Sequence, residues 1–441
     1  MRSNKLLTVM VMGVFLPLLR PDASEAQARP ISEILPRLIQ SEIRLAGPQP
    51  GSTFPSHDAH FIAGEQEKLA PYLFNQAIVS QLTTFPIGSS SGGFSYGLDA
   101  SLGIFSRTTG SFGPAFAERA LTIGRNRVSF GANFQHSGFD TFEGQDLRDG
   151  SIKFYLSHKS ESGAFFEGDV VETALDLRLR TDTVAIFADY GVTNRLDVGL
   201  AVPIVSVRMD ASIDASLLRL ATGATGPTSS IHTFPGGGEQ LTKRESGSAK
   251  GIGDMLVRAK YRFLDYSGGG LAVGLDLRLP TGDDANLLGS GAAQTRVSLI
   301  ASRTYNKFAP HLNVGYTFSG ASSSPFFALA DELNYTAGTE VEATPRVTIT
   351  ADLIGRSLRN SGRLQEQSRV FDFVSSTGTR GSVTKTEFAR QTGNLNLLLG
   401  AAGVKFNVAG NLLISANALF SLTQAGIRDS VTPAIGFDYA F

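Results

Sequence analysis

The chain has 441 residues, with 39 Lys and Arg against 40 Asp and Glu, and its net charge of −1 gives no basic footprint for nucleic acid. It contains no cysteine, which excludes disulfide scaffolds, thiol catalysis and Cys-ligated zinc. Its hydrophobic content is 42%, with 48 Gly, 30 Phe and 10 Tyr, yet no segment beyond the N-terminus approaches a membrane-spanning helix.

At the start, Arg2 and Lys5 precede an apolar run from Leu6 to Leu19, and Ala26-Gln27-Ala28 follows with small-x-small spacing. This order reads as a cleavable signal peptide over residues 1–28, with Arg29 as the mature N-terminus. The alternative is an N-terminal anchor, but about 14 residues fall short of the ~20 that a helix needs to cross a bilayer. Over residues 29–73 the spacing of Ile31, Ile34, Leu35, Leu38, Ile39 and Ile43 predicts a short amphipathic helix, followed by an irregular Gly- and Pro-rich piece. This segment is expected either to plug a lumen or to lie in the periplasm.

From residue 74 onward the pattern predicts strands. Leu196, Val198, Leu200, Val202 and Ile204 share one face, and Asp197, Gly199 and Ala201 share the other. Met255 to Phe263 and Leu271 to Leu279 alternate in the same way. About 14 such segments are expected, near 75–86, 94–105, 127–137, 171–190, 195–209, 254–264, 270–280, 296–305, 311–319, 332–341, 346–356, 394–406, 411–422 and 431–441. A phase change near Thr183–Val184 suggests a bulge, and Pro203, which cannot donate to a ladder, suggests a wall kink.

Short turn-forming links such as Gly191–Asn194 and Asn407–Gly410 alternate with long stretches at 138–170, 210–253, 281–295, 320–331 and 357–393. That asymmetry is expected of a transmembrane, antiparallel, up-and-down β-barrel with its long loops extracellular. Ile435, Phe437, Tyr439 and Phe441 alternate along the last segment as a lipid-facing aromatic row. Such a strand, ending in Phe, is the signal that the barrel assembly machinery reads.

Five phrases occur together: Thr84-Phe85-Pro86-Ile87-Gly88 running on to Phe94, Ser111-Phe112-Gly113-Pro114-Ala115-Phe116, Tyr190-Gly191-Val192-Thr193-Asn194-Arg195-Leu196-Asp197, Gly251-Ile252-Gly253-Asp254, and Leu279-Pro280-Thr281-Gly282-Asp283. As a set they resemble the outer-membrane proteins grouped as the MetA-pathway of phenol degradation family, relatives of the long-chain fatty-acid channels. The Asn-Pro-Ala motif of the fatty-acid channels proper is not found. The resemblance implies an outer-membrane barrel that passes small hydrophobic or aromatic solutes, in contact with outer-membrane lipid.

Polar-face residues are the candidates for lining a lumen. They are Asp176, Arg178 and Arg180 on one strand, Arg258, Lys260 and Arg262 on another, Asp276 and Arg278 on the next, and Asp352. With a turn centred near Gly268, Lys260 is expected opposite Asp276 and Arg258 opposite Arg278. Two readings stand: a charge network that ties the wall, or a cationic surface that selects an anionic or amphipathic solute.

Asp283-Asp284 lacks the spacing of a calcium loop, and no Gly-Lys-Ser/Thr phosphate loop follows Gly282. His57 and His60 offer two metal ligands without a third, and His136 and Ser137 are adjacent on a strand and so face opposite sides. No enzyme, metal or cofactor is expected. Besides uptake, two alternatives remain open: a structural or recognition barrel acting through its long loops, and a general porin.

Overall fold

Alternation with period two, punctuated by turn formers, commits the chain after residue 127 to antiparallel strands. The computed structural model describes residues 29–40, 42–46, 61–62, 65–82, 86, 88–89, 93–99, 104–107, 109–158, 168–221, 232–322, 329–375 and 377–441. The expected signal peptide and the His57 and His60 pair lie outside the described residues.

The long strands are β1 (Val128–Phe139), β2 (Ile152–His158), β3 (Val170–Gly191), β4 (Leu196–Leu218), β5 (Gln240–Ile252), β6 (Met255–Tyr266) and β7 (Gly269–Leu279). They continue as β8 (Gln294–Arg303), β9 (Phe308–Ser319), β10 (Glu332–Thr344), β11 (Val347–Val374), β12 (Arg380–Ala409), β13 (Leu412–Ser421) and β14 (Val431–Ala440). Pairing runs β1-β14-β13-β12-β11-β10-β9-β8-β7-β6-β4-β3 and returns to β1, a closed barrel of 12 strands. The other two lie outside the ring: β2 pairs with the upper half of β3, and β5 with the upper half of β4.

Tight turns gather at one rim. Tyr266 pairs directly with Gly269, so Ser267 and Gly268 alone make the turn. Gly268 takes φ +76°, and an added Cβ would meet the Thr304 carbonyl at 2.8 Å. At the other rim β3, β4, β11 and β12 run on far beyond the wall. Outward side chains in the ring are apolar and exposed, among them Val198, Leu200, Leu275, Leu299, Ile349 and Ile435. Among the described residues no helix is long and apolar enough to cross a membrane. A closed barrel wearing an apolar belt satisfies its backbone internally and crosses lipid as strands. The chain is an outer-membrane barrel, and barrels of this kind carry their short turns on the periplasmic side.

Several expectations are corrected. The segment 75–86 is not a strand: α2 (Glu65–Leu82) covers most of it, preceded by α1 (Ile34–Gln40). The segment 94–105 does not join the wall but forms two short strands, Tyr96–Asp99 and Ile104–Arg107, which pair with each other. The wall therefore begins at Val128 rather than at residue 74. There is no bulge at Thr183–Val184, since β3 pairs with β1 and β4 through that point without a register shift. At Pro203 the strand stays paired with Ala185 of β3 without a register shift. The break is across from it, between β5 and β6, where Gly253 N–H donates to the Pro203 carbonyl at 2.8 Å. The donor that proline lacks thus falls where the ladder is already interrupted.

The two helices pack inside the outer half of the structure. Leu35 and Leu38 of α1, with Phe74 and Ile78 of α2, join Leu175, Leu177 and Leu179 of β3 and Val207 and Met209 of β4 in one buried cluster. Phe74 lies against Phe142 with ring centroids 4.3 Å apart. Arg37 pairs with Glu245 on β5, fastening the cap to the outer sheet.

Candidate functional site in the lumen

The described residues between Pro86 and Arg127 thread the inside of the ring. Among the described residues of this stretch only Tyr96–Asp99 and Ile104–Arg107 form a ladder, so the remaining N–H groups need other acceptors at membrane depth. Inward-facing wall side chains supply them. Phe112 N donates to Thr348 Oγ1 at 3.0 Å, Phe116 N and Ala117 N to Asp352 Oδ2 at 2.8 and 3.4 Å, and Glu118 N to Asn313 Oδ1 at 2.7 Å. Ala120 N reaches Ser302 Oγ at 2.9 Å, and Ile123 N reaches Asp197 Oδ2 at 3.1 Å. Two lysines act in the reverse sense: Lys405 Nζ donates to the Pro114 carbonyl at 2.7 Å and Lys260 Nζ to the Arg119 carbonyl at 3.3 Å.

Charges on the wall join those on this segment. Arg258 bridges Glu118 and Asp276, each at 2.6 Å, and Arg296 closes on the far side of Asp276. Arg356 binds Glu332 with two nitrogens, at 2.8 and 2.6 Å. A planar guanidinium fork suits both arrangements better than an ammonium would. Deeper in, Arg119 lies 3.8 Å from Glu340, which His311 approaches at 3.4 Å.

Between the lumen segment and strands β6 to β11 lies an open cavity of about 140 Å³. Phe116, Leu256, Ile300 and Ile354 give it apolar surface, and Arg258, Arg278, Arg296 and Arg356 give it guanidinium groups. Glu118, Asp276 and Glu332 balance part of that charge.

The residues singled out from the sequence divide into three groups. Arg258, Asp276 and Arg278 line the cavity. Asp352 and Lys260 face inward but are buried against the lumen segment, while Arg262 sits at the inner rim on Asp265 at 2.7 Å. Asp176, Arg178 and Arg180 are a correction. Their neighbours Leu175, Leu177 and Leu179 are buried in the cap cluster, so these three point out to water. The register of β6 and β7 is also corrected. Arg258 lies opposite Asp276 and Lys260 opposite Gly274, because the two-residue turn and a bulge between Arg262 and Leu264 each move the pairing. Arg296, Glu332 and Arg356 were missed, although the same parity that marks Arg258 marks them, with Val297, Leu299 and Leu353 outward. Glu118 carries no such signal, since it belongs to no strand.

Residues 159–367 match the family described as "Putative MetA-pathway of phenol degradation". The resemblance read from the sequence phrases therefore recurs over the run from the outer rim of β3 into β11. A search of curated proteins finds no match. Among solved structures, the chain is similar to an outer-membrane channel from Pseudomonas putida F1, at 12% identity and a TM-score of 0.45, over 73% of this chain and 98% of that one. It is also similar to the toluene transporter TbuX of Ralstonia pickettii, at 11% identity and 0.30, over 72% and 90%. The toluene transporter TodX of P. putida gives 9% and 0.30, over 72% and 89%. These scores carry no functional weight, and the closed strand order itself establishes the barrel.

Proposed function

We propose that the barrel is a channel for passive uptake of small hydrophobic or aromatic molecules across the outer membrane. The observation that carries the reading is the lumen cavity, where aliphatic and aromatic side chains share one surface with four arginines. A small ring bearing an oxygen fits such a surface. The ring lies against Leu256, Ile354 or a guanidinium plane, and the oxygen accepts from a guanidinium N–H. The family matched over residues 159–367 is named for phenol degradation, which agrees with that solute class.

In this reading the segment from Pro86 to Arg127 is a plug hung on the wall, and the helical cap closes the outer mouth. A general porin would leave its lumen clear. Transport rather than catalysis is supported by the placement of the histidines. The His136–Asp182 pair is on the outer surface, the His232–Asp169 pair is buried in the outer shell, and His311, inside the lumen, is buried against Glu340; none of the three lines the cavity. The aromatic row of β14, with Tyr439 against Phe441 at 4.7 Å, is the face the assembly machinery would read.

Purified protein in liposomes should accelerate entry of phenol and benzoate over a sugar of similar size, and R296Q with R356Q should reduce the gain for benzoate more than for phenol. Permeability no higher than that of protein-free vesicles overturns the channel. Equal passage of all three solutes with large ohmic conductance makes it a general porin.

A further inference from the structure

We infer that the outer face of β3, β4 and β5 binds the phosphate of an outer-leaflet lipid headgroup, with Arg180 and Arg208 as paired ligands and Lys250 beside them. The inference does not rest on transport. It needs only the barrel's orientation, with the short turns periplasmic.

The register places Arg180 level with Arg208, and Lys250 one outward line nearer the apolar belt. Val184, Ile204 and Ile252 lie in one line across the three strands, and each is followed outward by polar residues. The next outward line is Asp182, Ser206 and Lys250, and the one after it joins Arg180 directly to Arg208. Two residues of strand rise by about 7 Å, so the cations stand where acyl chains give way to headgroups.

Like charges directly opposite on a sheet destabilise it. The inner faces of these strands, Leu179 and Val207, are already packed against the cap, so the fold gains nothing from the arginine pair. Both arginines are exposed and have no ion-pair partner among the described residues. Of the nearest acids on that face, Asp182 is held by His136 at 2.7 Å, and Asp210 lies one line further out, in register with Arg178. An anion with several oxygens would bridge the two forks and relieve the repulsion. The apolar line directly beneath favours a phosphate that carries acyl chains over a free one.

The test uses the full mature chain in neutral detergent, with bisphosphorylated lipid A, dephosphorylated lipid A and inorganic phosphate as probes. The wild type should retain bisphosphorylated lipid A in native mass spectrometry, and the R180Q/R208Q variant should bind it roughly tenfold or more weakly, the loss of two charge-assisted hydrogen bonds. Dephosphorylated lipid A should bind the wild type no better than the intact lipid binds the variant. Equal binding of the two lipids, or unchanged binding by the variant, overturns the site. Competition by inorganic phosphate at the same concentration as the lipid overturns its lipid character. Melting without lipid supplies a second readout. R208Q should melt at or above the wild-type temperature and lose most of the upward shift that lipid A gives. A lower lipid-free melting temperature means that Arg208 has a structural partner, and the inference fails.

Discussion

Strands β3 and β4 cross two environments, and their sequence inverts between them. Along the ring, the outward residues are apolar, such as Val198, Leu200 and Ile204, while Asp189 and Asp197 face inward. Above Asp182 and Ser206 the inward side turns apolar, with Leu175, Leu177 and Met209, and the outward side carries Arg178, Arg180 and Asp210. The pairing passes through the change without a shift, so each side chain keeps its side. What changes is the medium. Lipid outside and a polar lumen inside give way to water outside and a helical cap inside. A reversal in the phase of polarity along an unbroken strand therefore marks the edge of the bilayer.

The strongest way to break this comparison is to swap charges between the zones. L177K buries a cation among the cap leucines and should cost several kcal/mol, enough to release the cap. L200K, on the lipid belt, should cost about 2–4 kcal/mol near the midplane. R178L should stay within about 0.5 kcal/mol. Urea melts in lipid vesicles, with limited proteolysis of α1 and α2, rank the three. If L177K and R178L are tolerated alike, the inversion is not an energetic boundary.

A smaller effect should separate plug from wall. D352A leaves the Phe116 and Ala117 N–H groups without their acceptor, at about 1–3 kcal/mol each before rearrangement. Because that loss falls on a segment without a ladder, planar-bilayer conductance should rise while the melting of the ring changes little. D176A, on the water-facing side of the outer sheet, should change neither. A conductance unaltered by D352A would mean that the lumen segment stays in place without this anchor.

The ring was legible because lipid demands an apolar outer row and tolerates polarity inside, a contrast that Leu196–Ile204 and Leu271–Leu279 display in full. The outer sheet was not. In β5 the outward residues Thr242, Arg244 and Ser246 are polar, and the inward ones include Lys243 and Glu245, so alternation of hydrophobicity vanishes although the strand does not. The same holds where β11 and β12 run beyond the ring through 357–393, a stretch expected as loop. The C-terminal end of helix α2 reads as a strand in the sequence because Phe74-Asn75-Gln76-Ala77-Ile78-Val79 suits either period over so short a window. Of the cavity, Arg258, Asp276 and Arg278 follow from parity, but their partners do not. Glu118 comes from the lumen segment, and the Arg258–Asp276 pairing depends on a bulge that the sequence does not announce.

The smallest effect concerns the outer sheet alone. Burial pushes the Glu172 carboxyl up, but hydrogen bonds from Lys153 and Tyr155, at 2.9 and 2.7 Å, and the charges of Lys153 and Lys385 outweigh it and hold the group below the usual carboxylate range. A depressed folded-state pKa means that stability is present above the unfolded value and is lost as pH falls through the folded one. The link between β2 and β3 should thus be intact at neutral pH and loosen only in strong acid, below the ordinary carboxylate range. Hydrogen exchange of residues 152–156 should quicken there beyond the intrinsic pH effect, while exchange in β8 and β9 follows the intrinsic curve. E172Q should show the loosened β2 at every pH. If β2 in wild type and variant exchanges alike at pH 7, Glu172 does not hold that edge, and β2 is kept by apolar packing, of Ile152, Phe154 and Leu156 on the cap cluster and of Tyr155 on Phe371.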